Sequence, residues 1–326
     1  MILLKYPSKK ATTLAPIYFK LKFWAYKIVI SLALKKAKKI IVPSEYVKND
    51  IIKYFKIKTD KIEVIYEGVA KLDKLDSFGE NKFIPLRECE AEKKKKLESA
   101  CLRWQGNRRA CRQAGKLGIG HYILYVGNAY PHKNLERLLR AFSMMIKNDE
   151  PRGFAKGKTE IRNWKFPPKA DPPLAEEIGN LKLVLVGVKN DFYERLEKYA
   201  EENFLDLTGK IIFFGYATDR ELAEFYKNAA LYVFPSLEEG FGLPPLEAMS
   251  YGIPVISSKS SCLPEILGDA ALYFNAEDIK DMAEKILQGL EDEKLREDLV
   301  KKGYERIKMY DWKKNARRTT EIYVRN

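Results

Sequence analysis

From residue 121 onward, short runs rich in β-branched and aromatic residues alternate with helical stretches, and nothing else in the 326 residues limits the fold as strongly. "YILYVG" (122–127), "LKLVLVG" (181–187), "KIIFFG" (210–215), "ALYVFP" (230–235), "IPVISS" (253–258) and "AALYF" (270–274) read as strands. They are almost continuously apolar, as expected of strands buried on both faces. Between them the spacing predicts helices over about 134–146, 191–203 and 219–227, and another from about Pro245; the first sets Leu135, Leu138, Leu139, Phe142 and Met145 on one face. Buried strands linked by helices predict an α/β fold with a doubly wound parallel sheet. Ligands of such sheets bind outside the carboxyl ends of the strands. The glycine-bearing turns after Val126 and after Phe234 fall at two such ends.

The first 75 residues are sparser: a helical segment over about 16–40, a strand "KIIVPS" (39–44), a helix over 45–55 and a strand "KIEVIYEGV" (61–69). That is too little for a second complete doubly wound domain. Residues 76–120, with "EAEKKKKLESACLRWQGNRRACRQAGKLG", and 149–177, with "PRGFAKGK" and "FPPKADPP", read as insertions or long loops. The net charge of +14 is uneven, because residues 1–40 carry ten lysines and no Asp or Glu. Such a segment suits anionic lipid headgroups, nucleic acid or a phosphate-bearing substrate, or is a solvated helix face. No nucleic-acid-binding motif accompanies the charge, which puts nucleic acid last. Four cysteines without a CxxC pair and only two histidines argue against a zinc site and fit a reducing cytoplasm. The longest apolar run near the N-terminus, "IVISLAL" (28–34), is far short of the roughly 20 residues a spanning helix needs.

Three stretches carry candidate chemistry. In "PSLEEGFGLPPLEAMSYGIPVISS" (235–258), Glu239 and Glu247 flank a turn of Gly240, Phe241, Gly242 and Leu243 that leads into a helix with Pro244 and Pro245 in its first turn. The amides of the turn and of the helix start suit a phosphate or diphosphate. Both carboxylates are then better used on sugar hydroxyls, since phosphate would repel them. The plainer alternative has Glu247 capping the turn and Glu239 merely exposed. In "YVGNAYPHKN" (125–134), a strand runs through Gly127 and Asn128 to His132 and Lys133, and a lysine there is a point charge suited to a diphosphate or an ordinary surface lysine. In "KIIFFGYATDRELAEFYKNAALYVFPS" (210–236), the turn at Gly215 and Tyr216 can offer backbone groups and a ring to a base, with Asp219 as the expected helix cap.

Taken in order, "VGN…PHKN", "FFGYATDRELAEFY", "FPSLEEGFGLPPLEAMSYGIPVI" and "LPEILGDAALYFNAED" resemble the retaining glycosyltransferases of the GT-B fold, family 4. The resemblance is good over 121–326 and moderate over 1–70, and the E-x7-E spacing of Glu239 and Glu247 is its specific mark. It implies residues 1–75 as a partial acceptor-side, Rossmann-like domain and 76–120 as a basic insertion. It implies 121–308 as the nucleotide-sugar donor domain and 309–326 as a helix packing back toward the N-terminal part. By the same resemblance Glu239 holds donor-sugar hydroxyls and Glu247 the ribose. The amides of Gly240, Phe241, Gly242 and Leu243 line sugar and phosphate, and Lys133 neutralises the diphosphate. No metal or cofactor is expected; the donor is a nucleotide-diphosphate sugar, and the acceptor a glycan or lipid-linked molecule at the inner face of a membrane.

Two departures stand out. The family commonly carries arginine where this chain has Asn128, and a subgroup carries it where His132 stands, so His132 or Arg137 is the expected substitute. The N-terminal stretch begins just after the family's usual "HD" strand end, which makes the chain resemble a piece of a longer transferase. That leaves a second expectation open: a module that binds a nucleotide sugar without transferring it.

Overall fold

The structure, a computed structural model, describes residues 16–69, 122–147 and 180–325. The segments read as insertions, 76–120 and 149–177, lie outside the described residues. A six-stranded, all-parallel sheet forms the larger part of the molecule. It comprises β3 (Tyr122–Val126), β4 (Lys182–Val186), β5 (Ile211–Gly215), β6 (Leu231–Phe234), β7 (Val255–Ser258) and β8 (Ala271–Phe274), in the order β5-β4-β3-β6-β7-β8. Counted from its own first strand, the order is the 3-2-1-4-5-6 of a doubly wound dinucleotide fold, whose direction of winding reverses between β3 and β6. The strands are apolar because helices cover both faces. Ile123, Leu124, Leu183, Leu231, Tyr232, Val233, Val255 and Ile256 are all buried.

The covering helices are α3 (Leu135–Lys147), α4 (Asp191–Asn203), α5 (Asp219–Asn228), α6 (Leu243–Ser250), the short α7 (Leu263–Leu267), α8 (Ile279–Glu291) and α9 (Glu293–Ile307), which follow α1 (Pro16–Lys36) and α2 (Glu45–Phe55) of the N-terminal part. α3 buries Leu135, Leu138, Leu139, Phe142 and Met145, the stripe its spacing predicts. The structure corrects two boundaries. Thr218, and not Asp219, caps α5: its hydroxyl accepts from Glu221 N while the Glu221 carboxylate accepts from Thr218 N, a reciprocal capping box. And α6 starts at Leu243, two residues before Pro245, because Gly242 at φ 104° takes the left-handed conformation that turns the chain into the helix. α7, α8 and α9 are elements the sequence reading did not assign.

The N-terminal part is small: α1 (Pro16–Lys36), β1 (Ile40–Val42), α2 (Glu45–Phe55) and β2 (Ile62–Val64), with β1 and β2 parallel. The strand expected over 61–69 pairs only over its first residues; beyond Val64, Ile65 N still donates to Val42 O and Val69 N to Tyr310 O. Its core is Leu34, Ile40, Val42, Ile51, Ile57 and Ile62. The last helix, α10 (Trp312–Arg325), buries no residue of its own but returns to this part, where Trp312 lies against Gly68 and Asn315 Nδ2 donates to Tyr66 O at 2.8 Å.

Candidate functional site

The ends of β3 and β6 lie at the reversal of the sheet, and the loops leaving them are tied together. After β3 the chain turns at Gly127 (φ 152°), and the Tyr125 hydroxyl donates to Asn128 O at 2.8 Å. A one-turn helix over Pro131–Lys133 follows, and it ends at Asn134 in a left-handed conformation (φ 62°) that asparagine tolerates. The Asn134 amide holds the loop after β6 by donating to Pro235 O at 3.1 Å, and the loop after β8 by donating to Ala276 O at 2.7 Å. Leu237 N donates to His132 O at 2.8 Å, a second tie between the two loops.

This framing brings Lys133 and Glu239 into contact: Lys133 Nζ lies 2.5 Å from Glu239 Oε1, with both side chains about nine-tenths buried. The ammonium also sits over the Phe234 ring, 5.4 Å from its centroid. Glu239 is fixed through its backbone, where its N–H donates to Ser261 Oγ (3.0 Å) and its carbonyl accepts from Cys262 Sγ (3.3 Å). Burial of two opposite charges is tolerable because each satisfies the other. The plainer expectation, an exposed Glu239 and a surface Lys133, is overturned by this pairing.

Glu247 sits inside α6 and accepts from the Tyr226 hydroxyl at 2.9 Å. Burial raises its pKa, and the Tyr226 hydrogen bond opposes that rise. A row of rings joins the two carboxylates: Tyr251 stacks on Tyr226 (5.4 Å), Tyr226 lies 6.0 Å from Tyr232, and Tyr232 lies 6.1 Å from Phe234, the ring under Lys133. The Tyr232 phenol is pushed well up by burial, then by Tyr125 and by both Glu247 and Glu239, so the two acids share one aromatic floor. Tyr226, Tyr232, Phe234 and Ser261 were missed in the sequence; the tyrosines were legible only as strand and helix core.

Of the four amides an α-helix leaves unbonded at its start, α6 possesses only those of Gly242 and Leu243, because Pro244 and Pro245 have none. Those two and the preceding loop amides of Gly240 and Phe241 are the same four that the sequence offers as the anion site. A methyl group added at Gly240 would meet only Val47 (3.8 Å) and Pro43 (4.0 Å), ordinary contacts, so packing does not demand glycine there. The Phe241 ring is buried against Tyr310 (5.5 Å) and Tyr66 (6.3 Å) and its carbonyl accepts from Cys262 Sγ (3.3 Å), so only its backbone N–H is left for a ligand.

His132 stacks on Tyr130 (5.9 Å), and burial, then the neighbouring Lys133, push its pKa down to about 4. A neutral imidazole offers a ligand a hydrogen bond in place of a guanidinium's charge. Arg137 donates to Asn134 Oδ1 at 2.8 Å, bracing the turn that carries Lys133. Gly215 spends its N–H on the Tyr193 hydroxyl (2.8 Å) and its carbonyl on Gly187 N (2.9 Å). Tyr216 beside it is exposed. Among the described residues, no group of three or more His, Cys, Asp or Glu is arranged to hold a metal ion.

Two domain descriptions match the chain: "Glycosyltransferase Family 4" over residues 9–70 and "Glycosyl transferases group 1" over residues 168–306. It is 29% identical over 291 residues to O-antigen chain mannosyltransferase B of Escherichia coli, covering 89% of this chain and 61% of that protein. It is 26% identical over 255 residues to the Salmonella typhimurium O-antigen chain mannosyltransferase RfbU, covering 78% of this chain and 52% of that one. The chain thus spans less than two thirds of the length of these relatives. Among solved structures it resembles sucrose-phosphate synthase from Thermosynechococcus elongatus (TM-score 0.65, 21% identity, 99% of this chain and 65% of that one). It also resembles Anabaena HepE solved with UDP and glucose (TM-score 0.64, 16% identity, 96% and 70%). With both domain types matched in order, and with a fold shared with GT-B enzymes, the chain is similar to the glycosyltransferases of the group 1 and family 4 type over both of its described parts.

Proposed function

We propose that the protein moves a hexose, mannose foremost, from a nucleotide-diphosphate sugar to a glycan or lipid-linked acceptor with retention of configuration. The observation that carries this reading is the buried Lys133–Glu239 pair beside the Gly240–Leu243 amides, at the reversal point of the sheet. The choice of mannose rests on the names of the relatives. In the resting pair, each partner stands where a donor group would go. When a donor enters, Lys133 turns to the diphosphate and Glu239 is released to accept sugar hydroxyls. Glu247, held by Tyr226, takes the ribose hydroxyls, and in this reading the Tyr216 ring, exposed in the donor-free protein, stacks on the base.

In the transfer step the acceptor oxygen bonds to the anomeric carbon on the face from which the diphosphate leaves. The sugar–phosphate bond breaks, and the acceptor's proton passes to the departing phosphate oxygen. Negative charge grows on the diphosphate, where Lys133 and the loop amides are already oriented. In this reading they supply the positive charge, and no metal or cofactor is invoked. The acceptor side includes a membrane surface at the inner face. α1 exposes Tyr18, Leu21, Trp24, Ile28 and Leu32 along one side, amid Lys20, Lys22, Lys27, Lys35 and Lys36. No helix of the described residues is long and apolar enough to cross a membrane.

The test is a transfer assay over a panel of nucleotide sugars. Lys133→Ala is expected to lower kcat by roughly 100- to 1000-fold, the range for removing one preorganised donor to a developing oxyanion. Glu239→Ala should raise donor KM and lower kcat together. Unchanged rates in both variants would refute the assignment. Nucleotide-sugar binding without transfer by the unaltered protein would favour the binding-module reading instead.

A further inference from the structure

The N-terminal turn of α2 is satisfied from the other side of the molecule. Glu265, in α7, accepts from Glu45 N at 2.8 Å through Oε1 and from Tyr46 N at 3.0 Å through Oε2. These are the first two amides of α2, and the third, of Val47, goes to Ser44 Oγ at 3.3 Å. A carboxylate on two unbonded amides at the positive end of a helix makes charge-assisted hydrogen bonds where the helix field also favours it. The Tyr66 hydroxyl adds a third donor to Glu265 Oε1 at 3.1 Å, and burial followed by Glu265 pushes that phenol up to about 12.

The same turn reaches the loop that carries Glu239. The Ser44 hydroxyl, fully buried, donates to Gly240 O at 2.7 Å. The Tyr46 hydroxyl donates to Glu238 Oε2 at 3.0 Å, and Glu238 is itself buried. The residues immediately before and after Glu239 are therefore both held by Ser44–Tyr46, while Glu265 holds the backbone of Glu45 and Tyr46. Ser261 and Cys262 fix the Glu239 backbone from the start of α7, so α7 braces the loop directly on one side and through α2 on the other.

We propose that Glu265 and Ser44 are positioning residues for the donor-sugar carboxylate. Glu265 seats the first turn of α2 against loop 238–242, and that seating fixes Glu239 at the place where it meets the sugar. This inference rests on the glycosyltransferase reading for its kinetic consequence, but the mechanical coupling stands independently of it.

Two measurements on the full chain separate the coupling from its consequence. Hydrogen exchange in Glu265→Ala is expected to rise in residues 45–47 and also in 238–242, with β3 and β4 unchanged. If residues 238–242 keep their protection, the coupling is refuted, whatever the protein catalyses. In steady-state assays, Glu265→Ala should raise the KM for the nucleotide sugar about tenfold, the scale of one lost hydrogen bond to a charged group, and Ser44→Ala, which loses a neutral one to Gly240 O, about fivefold. The inhibition constant of the free nucleoside diphosphate, which has no sugar for Glu239 to hold, should not move. A merely structural role lowers the folded fraction and kcat but shifts neither constant. Parallel shifts in both constants, or none in either, would overturn the proposal. If exchange couples as expected but the unaltered protein transfers no sugar, the assignment of function has failed and the joint has not.

Discussion

The two sheets of this molecule are built from the same kind of strand but differ in what surrounds them. The six-stranded sheet has helices on both faces and a continuous apolar core, and it holds Lys133 and Glu239 on loops that are hydrogen-bonded to one another, with Glu247 in the helix that follows. The two-stranded sheet has a core of six side chains and one helix, α1, that is apolar on two opposite sides. Phe19 and Leu34 on one side are buried, while Leu21, Trp24 and Ile28 on the other are exposed. A parallel pair alone gains little from its ladder, so this part draws its order from contacts across the joint. The polar links at that joint include Glu265 to α2 and to Tyr66, Ser44 to Gly240, Tyr46 to Glu238 and Asn315 to Tyr66. The larger sheet thus carries the candidate site on its own core, and the smaller unit meets it through these links.

The strongest challenge to that contrast is a pair of truncations. Leu138 is fully buried in α3, and Leu138→Ala should cost about 2–5 kcal/mol of global stability, read from denaturant melts. Ile62, nearly as well buried in β2, belongs to the small cluster, so Ile62→Ala should act mainly on local opening. Hydrogen exchange should rise across 40–64 while 122–147 stays protected. If Ile62→Ala also deprotects β3, the two sheets unfold as one cooperative unit and the contrast is broken.

A smaller effect sharpens the same picture. Thr218→Ala removes the reciprocal cap of α5, the helix that presents Tyr226 to Glu247. The expected loss is about 1 kcal/mol in denaturant melts, typical of an N-cap hydroxyl. Confined to the larger sheet, it should leave exchange in 40–64 as it was.

The sheet was legible because parallel strands covered on both faces leave an unmistakable record: each of the six predicted runs contains a strand of the structure. α8 went unassigned although Ile279, Met282, Ala283 and Ile286 recur at helical spacing behind an Asp278 cap. The sequence puts the start of α6 too late because Pro244 and Pro245 read as the helix opening, whereas the positive φ of Gly242 decides it. Glu239, Glu247 and Lys133 could be picked out by type and spacing, but not the salt bridge between the first and last. Still less could the sequence show that Ser44 reaches Gly240, a partner 196 residues away. A hydrogen bond across the fold leaves no periodicity, and a serine before a helix reads only as a local cap.

The smallest expected effect concerns acid. His132 is half-buried beside Lys133, and its pKa of about 4 lies below the ordinary 6.5. Between those values the unfolded chain binds a proton that the folded one refuses. The histidine's contribution to stability is therefore complete above about pH 6.5 and fades as the pH falls toward 4. His132→Gln should flatten that acid limb in melts followed from pH 7 to 4, with solvent screening of a partly exposed ring keeping the difference below that of the Thr218 cap. The location matters more than the size. Acid sensitivity from this histidine should appear first as loosening of residues 131–134 and of the loop that Leu237 N ties to His132 O, while the small N-terminal sheet holds. Acid loosening that began instead in residues 40–64 would mean that the less buried unit, not the site, sets the low-pH limit of the fold.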